Sequence, residues 1–219
     1  MAKPTHPLLR RALYILGRVR ERRRFRFQGC RFEVHEGVLN PTVFDASLVF
    51  AQACLGHAPE PPAPVLELGC GCGLAAVVLA RAGHSVTAVD IDAAAVRNTA
   101  TNALANGVAL KALESRWDES LPAEDRFAFV VTNPPFLTEE PPAFRTALFG
   151  GSHLELLRGS LDAIRRRLAA NGRALVLTSD RTGRAAFLEA VREARLRVVE
   201  SHEDKHWLDT YFTDILEAA

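Results

Sequence analysis

One glycine-rich stretch constrains the fold of this chain more than any other feature. Residues 64–80 form a short apolar run, then the turn Gly69-Cys70-Gly71-Cys72-Gly73, then an apolar run of helical length. A strand, a tight turn and a helix in this order predict a backbone that approaches a ligand closely beside the free N–H groups of a helix N-terminus. We therefore expect an α/β domain that carries a nucleotide-type loop after its first core strand.

The spacing of these glycines and the acid before them limit the ligand. A dinucleotide fingerprint requires Gly-x-Gly-x-x-Gly, but Leu74 follows Gly73 here and the spacing is Gly-x-Gly-x-Gly. This spacing argues against a nicotinamide oxidoreductase. Glu67, at the end of the strand, would repel a pyrophosphate but suits a ligand that carries an ammonium group and no phosphate. S-adenosyl-L-methionine is such a ligand.

Two more acids follow apolar segments and are candidates for the same site. Asp90 closes the predicted strand Ser85–Asp90, and an acid at that place in a doubly wound fold accepts hydrogen bonds from ribose hydroxyls. Alternatively, Asp90 only caps the next helix, although Asp92 is the simpler cap. Asp118, after Trp117, lies between two predicted strands, where its carboxylate could accept a hydrogen bond from an adenine amine.

A third apolar strand ends in Asn133-Pro134-Pro135-Phe136. The Asn133 side chain offers a carbonyl acceptor and an amide donor, and Pro134 keeps Asn133 extended while leaving its own carbonyl free to accept. These two acceptors can hold one NH2 group by hydrogen bonds. Phe136 supplies a flat face on which an amide or a nucleobase can stack. The alternative is a strand that simply stops at a pair of prolines.

In this order, the glycine loop, Asp90 and Asn133-Pro134-Pro135-Phe136 resemble the class I S-adenosylmethionine-dependent methyltransferases, in their amino-methylating branch. The resemblance covers about residues 36–183. It implies a doubly wound, Rossmann-like sheet that is mainly parallel with an antiparallel last strand. It implies S-adenosyl-L-methionine as cofactor and transfer of its methyl group to a planar nitrogen.

The resemblance also assigns roles to residues. Asn133, Pro134, Pro135 and Phe136 would hold the acceptor, and the cofactor would contact the following residues: Glu67, Gly69, Gly71, Gly73, Asp90, Ile91, Asp118 and Thr42. In related enzymes, the segment that corresponds to residues 36–42 closes over the cofactor. The segment Ala147–Gly151 resembles the corresponding segment of release-factor glutamine methyltransferases. Phe136, where those enzymes usually have Tyr, resembles the corresponding residue of ribosomal RNA methyltransferases. The acceptor is therefore a nucleobase or a protein glutamine, and a non-catalytic RNA-binding module that kept the fold is the competing class.

Length and composition agree with one compact catalytic domain, and we expect a cytoplasmic protein. The chain has 219 residues, of which 48% are hydrophobic and 24% charged, and no apolar run is long enough to span a membrane. Arg10, Arg11 and Arg18 interrupt any apolar core of a signal peptide. The four cysteines are too few and too irregularly spaced for a disulfide framework, so we expect reduced thiols.

The first 35 residues are strongly basic. They contain ten Lys and Arg residues against Glu21 and Glu33, for a net charge of +8, whereas the whole chain carries +1. An apolar stripe of helical period through residues 9–19 predicts a helix whose polar face is either solvated or tracks the phosphates of RNA or the ribosome. Residues 24–35 alternate around Gln28-Gly29 and predict a hairpin over the substrate side. We expect residues 1–35 to form an extension and residues 36–219 the catalytic domain.

One motif points to different chemistry. Residues 202–206 read His-Glu-Asp-Lys-His, which matches the zinc-protease pattern if both histidines share one helix face. The residues before them, 196–200, have the pattern of a strand, so we expect a surface turn here and no metal site. Further helices are predicted over residues 44–56, 154–169 and 184–194. Further strands are predicted over residues 173–178, 196–201 and 211–216.

Overall fold

The computed structural model describes residues 23–43, 45–135, 154–206 and 209–219. A seven-stranded sheet with strand order β5-β4-β3-β6-β7-β9-β8 forms its centre, and a separate hairpin pairs β1 with β2. The strands are β1 Arg24–Phe27, β2 Cys30–Glu33, β3 Pro64–Leu68, β4 Ser85–Asp90, β5 Lys111–Glu114, β6 Phe127–Thr132, β7 Leu168–Ser179, β8 Leu196–Lys205 and β9 Thr210–Ala218. The described helices are α1 Ala46–His57, α2 Leu74–Arg81, α3 Ala93–Ala105, α4 Glu155–Arg167 and α5 Arg184–Glu193.

The sheet confirms the predicted fold class. Strands β3 to β7 pair in parallel, and β9 runs antiparallel to both of its neighbours, β7 and β8. One apolar core lies between the sheet and α1, α2 and the hairpin. A second core lies between the opposite sheet face and α4 and α5. Strand order reverses direction between β3 and β6, which is the point at which open α/β sheets bind ligands.

The predicted hairpin forms, and its position over the substrate side stays a prediction. Gln28 and Gly29 both have positive φ, 49° and 73°, as a two-residue turn of this type requires. Three asparagines spaced four residues apart, two in α3 and one at its C-cap, accept hydrogen bonds from the backbone N–H groups of the segment that contains β2. These bonds run from Arg31 to Asn106 at 2.8 Å, from Glu33 to Asn102 at 2.9 Å and from His35 to Asn98 at 2.9 Å.

These amides replace a neighbouring strand along the edge of β2, so the hairpin is fixed to α3. Cys30, Phe32 and Val34 are buried in the same core as β3 and α2. The predicted boundary between residues 35 and 36 therefore does not separate the hairpin from the core of the domain. Among the residues that the structure describes, no helix is long and apolar enough to cross a membrane.

Two predicted elements of the second half differ from the structure in length. β7 begins at Leu168, earlier than predicted, because Leu168 pairs with Phe127 before an irregularity in the register. β8 continues to Lys205, so residues 202–205 lie in a strand and not in the predicted turn. A strand cannot place the two histidines of a His-Glu-x-x-His pattern as a helix does, and the zinc-protease interpretation is thereby excluded.

Candidate functional site

A cavity of about 460 Å³ opens at the carboxyl ends of β3, β4 and β6. Most of the residues predicted from the sequence line it together. They are Glu67, Gly69, Gly71, Asp90, Ile91, Asn133, Pro134 and Pro135. The ends of three strands, at Leu68, Asp90 and Thr132, therefore meet at one site, at the reversal of strand order.

Asn133 lies beside the beginning of the glycine loop. Leu68 and Thr132 are paired in register, and the Thr132 hydroxyl donates to the Leu68 carbonyl at 3.0 Å. The next residue on each strand, Gly69 and Asn133, faces the cavity. Asn133 Oδ1 is buried, and it accepts no hydrogen bond from any of the described residues. Buried polar atoms are nearly always paired, so an unpaired acceptor at a cavity wall fits a ligand that brings a donor.

Glu67 is almost fully buried in the central strand, with 3% of its surface exposed. Its Oε2 accepts a hydrogen bond from the Ala76 N–H at 2.8 Å, which satisfies one of the free donors in the first turn of α2. Burial, with a smaller contribution from the charge of Asp90, raises the pKa of Glu67 to about 8. A cationic group in the cavity would reverse this effect, because an adjacent positive charge favours the carboxylate.

Asp90 holds the glycine loop in place. Its Oδ2 accepts from the Gly71 N–H at 2.9 Å, and its Oδ1 accepts from the Asp92 N–H at 3.0 Å. Burial raises the pKa of Asp90, an effect that these N–H groups oppose. Asp92 caps α3 through a 2.7 Å bond from the Ala94 N–H, as predicted. Asp90 is therefore not the cap of α3, and its carboxylate lines the cavity.

The three glycines of the loop have different functions. All three have positive φ. A Cβ at Gly69 or Gly71 would meet nothing within 4 Å, so these two positions leave backbone open to a ligand. A Cβ at Gly73 would lie 2.8 Å from the Thr99 side chain, and Gly73 is not among the cavity-lining residues. The predicted cofactor role of Gly73 is corrected to a close approach between α2 and α3.

Asp118 is not at the cavity wall. Its carboxylate accepts from Arg166 at 2.7 Å and from Arg167 at 2.6 Å. Burial alone would raise the pKa of Asp118, but the hydrogen bonds from Arg166 and Arg167 outweigh it and lower this pKa. With both oxygens bound to guanidinium groups of α4, Asp118 has a structural function, and its predicted hydrogen bond to adenine is corrected.

The residues just before Asp118 line the cavity instead, and the sequence did not indicate them. They are Ser115, Arg116 and Trp117. Trp117 has a φ of 51°, which is rare for an aromatic residue. Its indole packs on Gly159 of α4, where a Cβ would lie 2.5 Å from Trp117 Nε1. The ion pairs of Asp118 and this contact with α4 fix the turn that forms this wall.

The segment before α1 lines the cavity within the predicted residues 36–42, but not through Thr42. Gly37, Val38 and Leu39 contribute to the wall, whereas Thr42 does not. The Thr42 hydroxyl and N–H both donate to Asn40 Oδ1 at 2.9 Å, so Thr42 shapes the turn that leads into α1. Phe136, Ala147–Gly151 and the predicted N-terminal helix lie outside the described residues.

Comparison with known proteins identifies a family. A family model described as "Methyltransferase small domain" matches residues 30–191. Ribosomal RNA small subunit methyltransferase C of Alcanivorax borkumensis is 36% identical over 107 residues, which cover 46% of this chain and 32% of that protein. Release factor glutamine methyltransferase of Cereibacter sphaeroides is 32% identical over 191 residues, which cover 79% of this chain and 66% of that protein. The chain thus spans less than two thirds of the length of these relatives.

A solved structure shows the same fold. It is the T. thermophilus 16S rRNA N2 methyltransferase in complex with AdoMet and guanosine. It matches with a TM-score of 0.65 and 24% sequence identity, covering 90% of this chain and 50% of that chain.

Proposed function

The chain belongs to the methyltransferase small domain family, a family that depends on S-adenosylmethionine, and we propose that it transfers a methyl group to a planar NH2 nitrogen. The observation that carries the proposal is the buried Asn133 Oδ1, which has no partner among the described residues and belongs to a residue that lines the cavity. A substrate NH2 group would supply the missing donor.

The cavity fits S-adenosyl-L-methionine, which supplies a sulfonium methyl group when it is bound. Glu67, buried beside the first turn of α2, would hold the ammonium group of the methionine end. Gly69 and Gly71 would let that end lie against the backbone, because no side chain stands there. Asp90 would accept from the ribose hydroxyls, and Ile91, with 69% of its surface exposed, would contact the adenine face.

The contribution of the protein to catalysis is orientation. Asn133 Oδ1 and the Pro134 carbonyl would each accept a hydrogen bond from one N–H group of the substrate NH2. The lone pair of that nitrogen would then point into the cavity. When the nitrogen bonds to the methyl carbon, the carbon–sulfur bond breaks and its electrons stay on sulfur. The nitrogen then loses a proton to water. This sequence needs no strong base, and we assign none.

Two acceptors match this geometry, and each has an observation in its favour. The strongly basic residues 1–35, with Phe136 after the two prolines, favour an exocyclic amine of an RNA base. The alignment that covers 79% of this chain, to a release factor glutamine methyltransferase, favours a protein glutamine. Both acceptors belong to the translation machinery, and we therefore propose that the reaction takes place in the cytoplasm.

One labelling experiment tests the reaction and separates the acceptors. The purified protein is incubated with S-adenosylmethionine labelled on the methyl group, together with ribosomal subunits, free RNA or release factors from a strain that lacks the gene. Nuclease and protease digestion followed by mass spectrometry locates the label. Label on a base amine or a glutamine amide supports the proposal and names the acceptor. Label on oxygen or carbon, or no transfer to any fraction, contradicts it.

A further inference from the structure

Three side chains outside the cavity converge where the end of α1 meets the edge strand β8. They are His57, Glu200 and His202, and their ligand atoms all lie within 4.8 Å of one another. His202 Nε2 is 2.6 Å from Glu200 Oε1, and His57 Nε2 is 3.8 Å from the same oxygen. The side chains are 25%, 46% and 50% exposed for His57, Glu200 and His202, so an ion can reach them from solvent.

A β-bulge brings the two residues of β8 to this place. Val198 pairs with Leu216 and Glu200 pairs with Ile215, so Val199 is an extra residue in the strand. Leu216 belongs to the core on the α4 and α5 face, whereas Ile215 belongs to the core on the α1 face. The bulge therefore turns the side chains of residues 200 and 202 to the α1 face.

Ser201, the residue between them, confirms this change of face. It receives a hydrogen bond at 3.1 Å from Arg184, the first residue of α5, on the opposite side of the sheet. Without the bulge, strand alternation would place Glu200 and His202 beside α5 as well. The irregularity in β8 is thus what places these two side chains against the end of α1.

His57 is oriented as a metal ligand. Its Nδ1 lies 2.9 Å from the Ala53 carbonyl, which can only accept, so the ring proton resides on Nδ1. Nε2 then keeps its lone pair, and Nε2 is the atom that points toward Glu200. A backbone carbonyl that fixes the tautomer of a histidine in this way is the usual second contact of histidine ligands in metal sites.

We propose that His57 Nε2, His202 Nε2 and the Glu200 carboxylate bind one divalent transition metal ion, with Zn²⁺ as the best match. Two imidazoles and one carboxylate form a donor set that Zn²⁺ accepts, with water in the fourth position. Tetrahedral bonds of about 2.0–2.1 Å require ligand atoms roughly 3.3 Å apart. The distances from Glu200 Oε1 to His202 Nε2 and to His57 Nε2, 2.6 and 3.8 Å, lie below and above this value. Rotation of the partly exposed side chains can bring both distances to it.

The ion would join α1 to β8 at the end of α1 that is distant from the cavity. At the beginning of α1, Asp45 already accepts from Tyr211 at 2.8 Å and contacts His206 at 2.6 Å. The same helix contributes Ser47 and Phe50 to the cavity wall. Metal binding would fix the second end of this helix, so its expected consequence is a more stable domain. It takes no part in methyl transfer.

Metal titration of the untagged protein tests the proposal. We expect wild-type protein to bind one Zn²⁺ by calorimetry, and one Co²⁺ with the visible absorption of a tetrahedral site. Saturating Zn²⁺ should raise the melting temperature by roughly 5 °C or more. His57→Gln and His202→Gln should each weaken metal binding by about a hundredfold or more, since each removes a ligand. Binding of S-adenosylhomocysteine should stay at the wild-type affinity in both variants, which shows that they fold.

His206→Gln is the matched control, because it removes a histidine of the same chain segment that contacts Asp45 and not the cluster. It should keep the wild-type affinity for Zn²⁺. If His57→Gln does not fold, His202→Gln still tests the site, because the His202 side chain is half exposed and its replacement should not disturb the fold. The proposal is overturned if wild-type protein binds no Zn²⁺ at submillimolar concentration. It is also overturned if His206→Gln abolishes binding while His57→Gln preserves it.

Discussion

At the scale of single residues, the site depends on polar groups that the fold buries next to a cavity. Asn133 Oδ1 is buried and has no partner among the described residues, and Glu67 has only 3% of its surface exposed. Burial of such groups costs free energy unless a partner compensates. Binding of a cofactor and an acceptor that supply those partners would offset this cost.

Asp90 should contribute directly to cofactor affinity. We expect Asp90→Ala to raise the dissociation constant of S-adenosylmethionine roughly ten- to a hundredfold, the effect of losing hydrogen bonds to a charged group. Part of the loss comes from the glycine loop, because the Gly71 N–H loses its partner. Calorimetry measures the change, with Asp204→Ala as control, since Asp204 is an exposed aspartate of β8 that does not line the cavity. Equal affinities of wild type and Asp90→Ala would remove Asp90 from the site.

Glu67 should make cofactor binding depend on pH. In the free protein the pKa of Glu67 is about 8, so most of the side chain is protonated at pH 6.5. A bound ammonium favours the carboxylate, so binding releases a proton, and affinity should rise up to about tenfold per pH unit between pH 6 and 7.5. The amino group of the cofactor stays mostly charged over this range.

Glu67→Gln should bind weakly and with nearly constant affinity over the same range, because it has no proton to release. Calorimetry in two buffers of different ionisation enthalpy counts the protons released. The assignment of Glu67 to the ammonium is wrong if wild type and Glu67→Gln show the same dependence on pH.

At the scale of elements, the glycine loop combines two functions that look alike in sequence. Gly71 leaves backbone open at the cavity, whereas Gly73 admits the close approach of Thr99 from α3. The repeated Gly-x-Gly-x-Gly pattern predicts one function for all its glycines, because the pattern contains no information about the helix that packs behind it.

Alanine substitutions should separate these functions. Gly73→Ala should lower the free energy of unfolding by about 2–4 kcal/mol, because the new Cβ both strains a backbone of positive φ and overlaps the Thr99 side chain. Gly71→Ala should cost about 1–2 kcal/mol from the same backbone strain but should also weaken cofactor binding. Gly29→Ala, at a positive φ of 73° with nothing within 4 Å, is the control for strain alone. Denaturant unfolding that shows equal losses for residues 71 and 73 would contradict the packing function of Gly73.

The elements also show which parts of the site the sequence could predict. Glu67, Asp90 and Asn133 were predicted because each ends an apolar strand, and the ends of parallel strands meet at one edge of the sheet. The structural function of Asp118 could not be predicted, because its partners Arg166 and Arg167 lie 48 and 49 residues further along the chain. No local pattern reports such a pairing, and the same holds for the docking of the hairpin on the asparagines of α3.

At the scale of the whole molecule, the basic charge of residues 1–35 is the feature that bears most on whether the protein binds RNA. In the described part of this segment, Arg24 pairs with Glu33, and Arg31 donates to the Ala105 carbonyl at the end of α3. Arg23 donates to the Val34 carbonyl. These three arginines serve the structure of the hairpin, whereas Arg26 is exposed on β1, so contacts with RNA phosphates would depend on Arg26 and on the basic residues before the hairpin.

Salt dependence of RNA binding tests that function. If the segment tracks phosphates, the logarithm of affinity should fall with the logarithm of salt concentration by about 0.7 per phosphate contacted on a single strand. Replacing Arg18, Arg20 and Arg22 together by Gln should reduce the slope by roughly two units. The control replaces three exposed arginines elsewhere, Arg97, Arg192 and Arg195. An unchanged slope in the first variant would favour a protein glutamine as acceptor.

Transfer of methyl groups by an Asn133→Ala variant tests the central claim most directly. The change removes the buried acceptor atom of a cavity-lining residue, and since this atom has no partner among the described residues, the domain should keep its stability. We expect cofactor affinity to stay within about threefold of wild type, while single-turnover transfer to the acceptor falls by roughly a hundredfold or more, as loss of one positioned polar contact can cause. Transfer at the wild-type rate by a variant that binds the cofactor normally would contradict the account.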